Sequence, residues 1–178
     1  YKSITLLRFQ EEYRTLSLVV AISDREKNIV LYMYQPESLE SMGGQKLLRK
    51  ADFHVGQHIN SFFRIDAVFE KRHVTMFATL DGGLGFVLPV SEKTYRRLLM
   101  LQNVLHTHIP HTAALNPRAY SSRRLLGNPS RGIVDGELVF VFLNLSIKER
   151  IEVGRKIGSK VDDLLEDIID VHRMTAHF

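Results

Sequence analysis

The chain contains no cysteine. Disulfides, zinc–thiolate sites, iron–sulfur clusters and cysteine nucleophiles are thereby excluded, and the absence fits a reducing compartment. No apolar run approaches the ~18 residues that a membrane-spanning helix needs, so no membrane partner is expected. The chain opens Tyr1-Lys2-Ser3, with no initiator Met and no signal-peptide pattern, and reads as a fragment of something longer. Acidic residues are missing from one long stretch. Residues 93–134 carry Lys93, Arg96, Arg97, Arg118, Arg123, Arg124 and Arg131 but no Asp or Glu.

What is present suits a globular chain. Apolar residues make up 44% and charged residues 25% of 178 positions, enough for a core without staples. The net charge of +4 is unevenly spread. Residues 1–92 hold eleven groups of each sign, and residues 135–178 hold six basic against nine acidic. The acid-free segment is a candidate face for an anion, either RNA or an acidic partner surface. The competing reading is internal. A helix expected at 160–172 carries Asp162, Asp163, Glu166, Asp167 and Asp170, which would neutralise part of that charge.

The first half has the pattern of β structure. Short apolar, β-branched runs predict strands at Ile4–Phe9, Thr15–Ile22, Ile29–Tyr34, Ile59–Arg64 and Val74–Leu80. Asp24–Asn28 is turn-like, and Pro36–Gly44 is a loop. Asp81-Gly82-Gly83 predicts a hairpin into Leu84–Leu88, because the turn needs positive φ and glycine supplies it; Pro89 is expected to end that strand. Strands so spaced suggest a sandwich, a barrel or propeller blades.

The pattern changes at Ser91, an expected N-cap for a helix that carries Leu98, Leu101 and Leu105 and stops before Pro110. Asn116-Pro117 and Gly127-Asn128-Pro129 mark loops around a short helix at Arg118–Leu126. Leu138–Leu143 has strand propensity, yet its position favours a helix capped by Asp135. Ser146-Ile147-Lys148-Glu149 matches a capping box for a helix to about Lys156. Gly158 is its expected C-cap, and Ser159 caps the next helix. That last helix places Val161, Leu164, Leu165, Ile168, Ile169 and His172 on one side and its acidic residues on a solvated opposite face.

Few motifs suggest chemistry. Gly154–Lys160 superficially looks like a phosphate loop, but no Lys follows its second Gly directly and it joins two helices. His106, His108 and His111 sit where a helix runs into Pro110, with no nearby carboxylate on the C-terminal side to orient an imidazole for a metal. His54 and His58 are expected in a surface loop. No nucleophile elbow, zinc-protease motif or convergent carboxylate pair is present, so neither an enzyme nor a cofactor or metal site is expected. For RNA, the basic segment offers phosphate contacts but only Tyr95 and Tyr120 as stacking platforms.

A longer pattern connects these pieces. Phe77–Gly85 reads FATLDGGLG and leads into Glu92–Asn103, EKTYRRLLMLQN. Leu115–Ala119 (LNPRA), Val134–Leu138 (VDGEL), Ala51–Gly56 (ADFHVG) and the terminal Thr175–Phe178 (TAHF) complete it. This resembles the C-terminal region of the largest, 160-kDa subunit of the cleavage and polyadenylation specificity factor, over nearly the whole chain and most densely from Thr75 to Arg118. The family carries longer stretches between Val19 and Ala21 and near Ala67–Phe69, and a less β-branched segment at Val139–Phe142.

The resemblance implies the terminal strands of a β-propeller at residues 1–90, followed by a small C-terminal helical domain at 91–178. It implies a non-catalytic nuclear scaffold that organises the subunits recognising the AAUAAA signal in pre-mRNA, with a WD-repeat subunit and a zinc-finger subunit as partners. The alternative is a direct RNA-binding module using segment 93–134. On either view Arg96, Arg97, Arg118, Arg123, Arg124 and Arg131 are the candidate contacts.

Overall fold

The computed structural model describes residues 3–9, 19–67, 72–109 and 132–175. The stretch 15–18, the expected helix at 118–126, His111, Arg118, Arg123, Arg124 and Arg131 lie outside the described residues.

Seven strands come first: β1 (Ser3–Phe9), β2 (Val19–Ser23), β3 (Asn28–Met33), β4 (Leu48–His54), β5 (Ile59–Ala67), β6 (Arg72–Thr79) and β7 (Leu84–Val90). Helix α1 (Glu92–His108) follows, then a short β8 (Ile133–Asp135), α2 (Gly136–Phe140) continued by a 3-10 turn at Val141–Asn144, α3 (Ile147–Ile157) and α4 (Val161–Thr175). A five-stranded sheet runs β5-β6-β7-β1-β8, and a three-stranded sheet runs β2-β3-β4. All pairs are antiparallel except β7 with β1, which run parallel over seven positions from Ser3–Leu84 to Phe9–Val90.

The period of two along each strand builds three layers from this topology. Phe86, Leu88 and Val90 of β7, with Val134 of β8, pack into a core with Leu98, Leu101 and Leu105 of α1 and Leu164, Ile168 and Val171 of α4. Their neighbours Val87 and Ile133 lie in a second core with Phe77, Ile29, Leu31, Ala51 and Phe53. The five-stranded sheet is thus the middle layer, with the small sheet on one face and the helices on the other. The fold is mixed β and α, as expected. The strand β8 and the helices around it lie beyond residue 91, yet β8 contributes to both cores and the helices share the first of them with the strands.

Local signals place most boundaries. Asp24 closes the β2–β3 turn, its carboxylate accepting from the Asn28 backbone N–H and side-chain amide, each at 2.8 Å. At the Asp81-Gly82-Gly83 hairpin, Gly82 has φ +82 and Thr79 exchanges bonds with Gly83 across the turn. Ser91 caps α1 through Thr94 N–H, and Asp135 caps α2 through the N–H groups of Glu137 and Leu138. Ser146 and Glu149 form the reciprocal capping box of α3, and Gly158 ends that helix at φ +74. Hydrogen bonds from Ser146 hold the Glu149 carboxyl below its ordinary pKa. Ser146→Ala should cost about 1 kcal/mol. Its readout is faster amide exchange confined to the first turn of α3.

Several expectations are corrected. Pro89 does not end β7. The strand continues to Val90, and Pro89 lies opposite Arg8 of β1. On its other side the β6 ladder stops at the Thr75–Val87 pair, so Pro89 is opposed on one side only. His54 is not in a loop. It ends β4, with its Nδ1 2.8 Å from Asn28 Oδ1. The last helix starts at Val161, one residue too late for Ser159 to cap it. Its buried face is Leu164, Asp167, Ile168, Val171 and Met174, while Ile169 and His172 are exposed. His172 still meets the apolar layer through an edge-on contact with Phe140. Strands β4 and β8 form where the sequence pattern predicts none. Among the described residues no helix is long and apolar enough to cross a membrane.

Candidate functional site

Helix α1 carries the described part of the basic segment. A 3.6-residue period divides it sharply. Leu98, Leu101, Gln102 and Leu105 are buried, whereas Lys93, Arg96, Met100 and Asn103 form an exposed stripe. Arg96 and Arg97 are adjacent in sequence and so fall on different faces.

Arg96 is exposed and forms an i,i+4 pair with Glu92, one turn back. Such a surface pair contributes only ~0.3–0.5 kcal/mol and leaves the guanidinium accessible. Arg97 has the opposite setting. Its side chain is 19% exposed, and its Nε lies 2.9 Å from Oδ2 of Asp167, itself 11% exposed. Asp163 approaches the same guanidinium at 3.5 Å. Thr94 donates to Asp167 Oδ1 at 3.4 Å, and Ser91 donates to Thr94 at 3.0 Å. A chain of polar contacts therefore runs from the α1 cap to the middle of α4. Burial raises the Asp167 carboxyl above its usual pKa, with Arg97 and Thr94 pulling it down. Asp167 is thus not on a solvated face. The acidic helix does neutralise a member of the basic segment, and that member is Arg97.

Two further contacts tie α1 to the strands. Gln102 Oε1 accepts from the Asp135 backbone N–H at 2.7 Å, in a buried bond between α1 and the end of β8. The Tyr95 phenol, its pKa raised by burial, bonds the backbone of Gly132. Gly132 has φ +69, and a Cβ there would lie 2.7 Å from Lys50 O and 3.2 Å from the Ala51 Cβ. Neither contact is apparent from the local sequence pattern. A lone glycine beside the apolar Ile133-Val134 pair was the available sign of a close backbone approach.

The other described histidines lie at separate places. His106 and His108 occupy the last turn of α1, and His58 lies in the β4–β5 connection. Among the described residues no three His, Cys, Asp or Glu groups converge in a way that would hold a metal ion. The phosphate-loop lookalike is the end of α3 and its turn into α4, where a Cβ on Gly154 would lie 3.1 Å from Ser159 O and 3.2 Å from Val161 Cγ2.

A family model described as the CPSF A subunit region matches residues 17–144. The chain belongs to this family. The Cleavage and polyadenylation specificity factor subunit 1 of Drosophila melanogaster is 43% identical over 215 residues, covering 100% of this chain and 15% of its own length. Its namesake in Arabidopsis thaliana is 40% identical over 166 residues, covering 88% and 11% respectively. The Protein cft1 of Schizosaccharomyces pombe is 31% identical over 177 residues, covering 90% and 12%. The chain therefore spans 11–15% of the length of these relatives. The fly and plant relatives are named as a specificity factor, not as an enzyme. The CPSF A family match takes in α1, β8 and the whole acid-free segment but stops at Asn144. The Arg97–Asp167 pair thus joins a helix inside the match to one beyond it.

Proposed function

We propose that this chain is the C-terminal part of a non-catalytic scaffold subunit of the nuclear complex that cleaves and polyadenylates pre-mRNA. The observation that carries the reading is the likeness to cleavage and polyadenylation specificity factor subunit 1 along the entire chain. In this reading residues 1–90 are the C-terminal part of a β-propeller and residues 91–178 a helical C-terminal domain. The subunit organises a WD-repeat subunit and a zinc-finger subunit that read the AAUAAA signal.

Arg118, Arg123 and Arg124, together with Arg96 and Arg131, are the proposed contacts. Arg97 is a weaker candidate, since its guanidinium is already held by α4. Reversing the charge of Arg118, Arg123 and Arg124 in the full-length chain should weaken retention of the two partner subunits about tenfold, an effect near 1.4 kcal/mol. A pull-down after RNase treatment reads this directly, and unchanged retention would overturn the assignment.

The second reading, direct RNA binding, is favoured by the acid-free character of 93–134 and by the exposed Lys93 and Arg96. It requires affinity for single-stranded RNA that falls with salt, with a slope of about −0.7 per phosphate contacted.

A further inference from the structure

The connection between β3 and β4 lies away from the basic helix and has no part in the proposal above. Its backbone is held at many points. Ser41, fully buried, donates through Oγ to Ser38 O at 2.7 Å, and its own carbonyl accepts from the N–H groups of Gly44 and Lys46 at 3.1 and 3.0 Å. Gly44, at φ +88, lies so close to the Tyr34 ring that a Cβ would meet it at 2.8–2.9 Å. This braced loop turns apolar side chains outward. Leu39 is 98% exposed and Met42 71% exposed, and Met42 adopts φ +52, a conformation that a bulky side chain rarely takes. Leu47 is also exposed.

Beside the loop is a cavity of about 490 Å³, lined by Tyr32, Glu40, Lys46, Leu47, Arg49 and Lys50 among others. The β3–β4 ladder shifts register at this point. Leu31 pairs with Ala51 and Tyr32 with Arg49, so Lys50 is the extra residue of a bulge. A bulge re-aims a side chain, and here two successive cations, Arg49 and Lys50, line the same cavity and are both exposed. Three cations thus face one carboxylate, Glu40, with Asp52 paired to Arg49 at 2.5 Å.

We propose that the β3–β4 loop and the bulged start of β4 bind an extended acidic peptide segment of a partner protein. An apolar residue of that segment seats against Leu39 and Met42, and its carboxylates face Lys46 and Lys50. Charge complementarity selects this occupant. The cavity is cationic, its lining includes Tyr32 and Leu47, and the hydrogen-bonded backbone of the loop holds its apolar anchors in place, so that only their side chains are ordered on binding. A nucleic-acid strand would find cations here as well. It would gain nothing from the two outward aliphatic side chains, whereas an apolar anchor on a peptide would bury them.

The test uses the full-length parent chain and three labelled probes: an extended peptide alternating Asp or Glu with Leu, its counterpart with Lys in place of the acids, and a single-stranded oligouridylate. The acidic peptide should bind. Lys46→Glu, Lys50→Glu and Leu39→Asp should each weaken it about tenfold. Amide exchange in β3 and β4 should stay unchanged, because these side chains are exposed. Equal binding of the basic peptide would overturn the proposal. So would oligouridylate binding lost in the same variants, or a photo-reactive residue at position 39 that cross-links only to the parent chain itself.

Discussion

Replacing Gly132 with alanine should destabilise the junction of the two sheets by about 3 kcal/mol. Two effects combine. Gly132 has φ +69, where an L side chain costs ~1–2 kcal/mol. A methyl group there would also sit 2.7 Å from the Lys50 carbonyl oxygen, which is backbone of the β4 bulge and cannot swing aside. Overpacking of that kind adds roughly 1–3 kcal/mol. Relief would require moving Ile133 out of the core that it shares with Ala51 and Phe53, or breaking the Tyr95 bond to the Gly132 backbone. In the full-length chain, hydrogen exchange of β8 and β4 should accelerate about a hundredfold, with distant strands unaffected. Protection equal to that of the parent would mean that β4 and β8 do not approach as described.

Arg97→Ala should cost about 1–3 kcal/mol, because it leaves a largely buried carboxyl without its cation, and that carboxyl then takes up a proton at a higher pH than in the parent. Asp167→Asn should cost less. Burial outweighs Arg97 in setting the Asp167 pKa, so the fold already disfavours the ionised form, and an amide still accepts from Thr94 and Arg97. Replacing both residues together, Arg97→Met with Asp167→Leu, should come near the parent in stability, as apolar replacements of buried pairs often do. The pH dependence has a definite sign. A carboxyl with a raised folded pKa contributes stability that is full below its ordinary pKa and is lost as pH rises through the raised value. The Asn variant lacks this titration. Its stability relative to the parent should therefore improve as pH climbs through that window. Exchange protection at the α1–α4 contact, followed against pH for the three variants, distinguishes these outcomes.

The sequence made visible those features that local chemistry decides. The Ser91, Asp135 and Ser146 caps, the Gly158 stop and the Asp81-Gly82 hairpin all formed where the residues demanded them. Leu138–Leu143 became helical despite its β-branched composition, because the Asp135 cap starts the helix and tertiary packing buries it. Non-local features stayed hidden. Strand β8 is three residues long, and its place in the sheet depends on pairing with β1, far away in the chain. Pro89 was a strand-ending signal only if both edges of β7 were paired beyond Val87. On α4 the apolar pattern predicts Ile169 and His172 at the core, yet both are exposed; Asp167 takes a buried position that pattern alone assigns to water, and only its partner on α1 accounts for it. For the candidate contacts, the basic segment was visible as charge, but its division between an accessible Arg96 and a held Arg97 depends on where α4 packs.

In the proposed scaffold the arginines of the basic segment would dock protein and not read RNA. The most direct measurement compares the full-length parent chain with its Arg118→Glu, Arg123→Glu, Arg124→Glu variant, each assembled with the WD-repeat and zinc-finger subunits after RNase treatment, and then titrates AAUAAA-containing RNA onto whatever assembles. The scaffold account predicts that partner retention falls about tenfold. It also predicts that complexes which do assemble bind the RNA with unchanged affinity and salt slope. Full retention of both partners, with RNA affinity reduced and a shallower salt dependence, would contradict it.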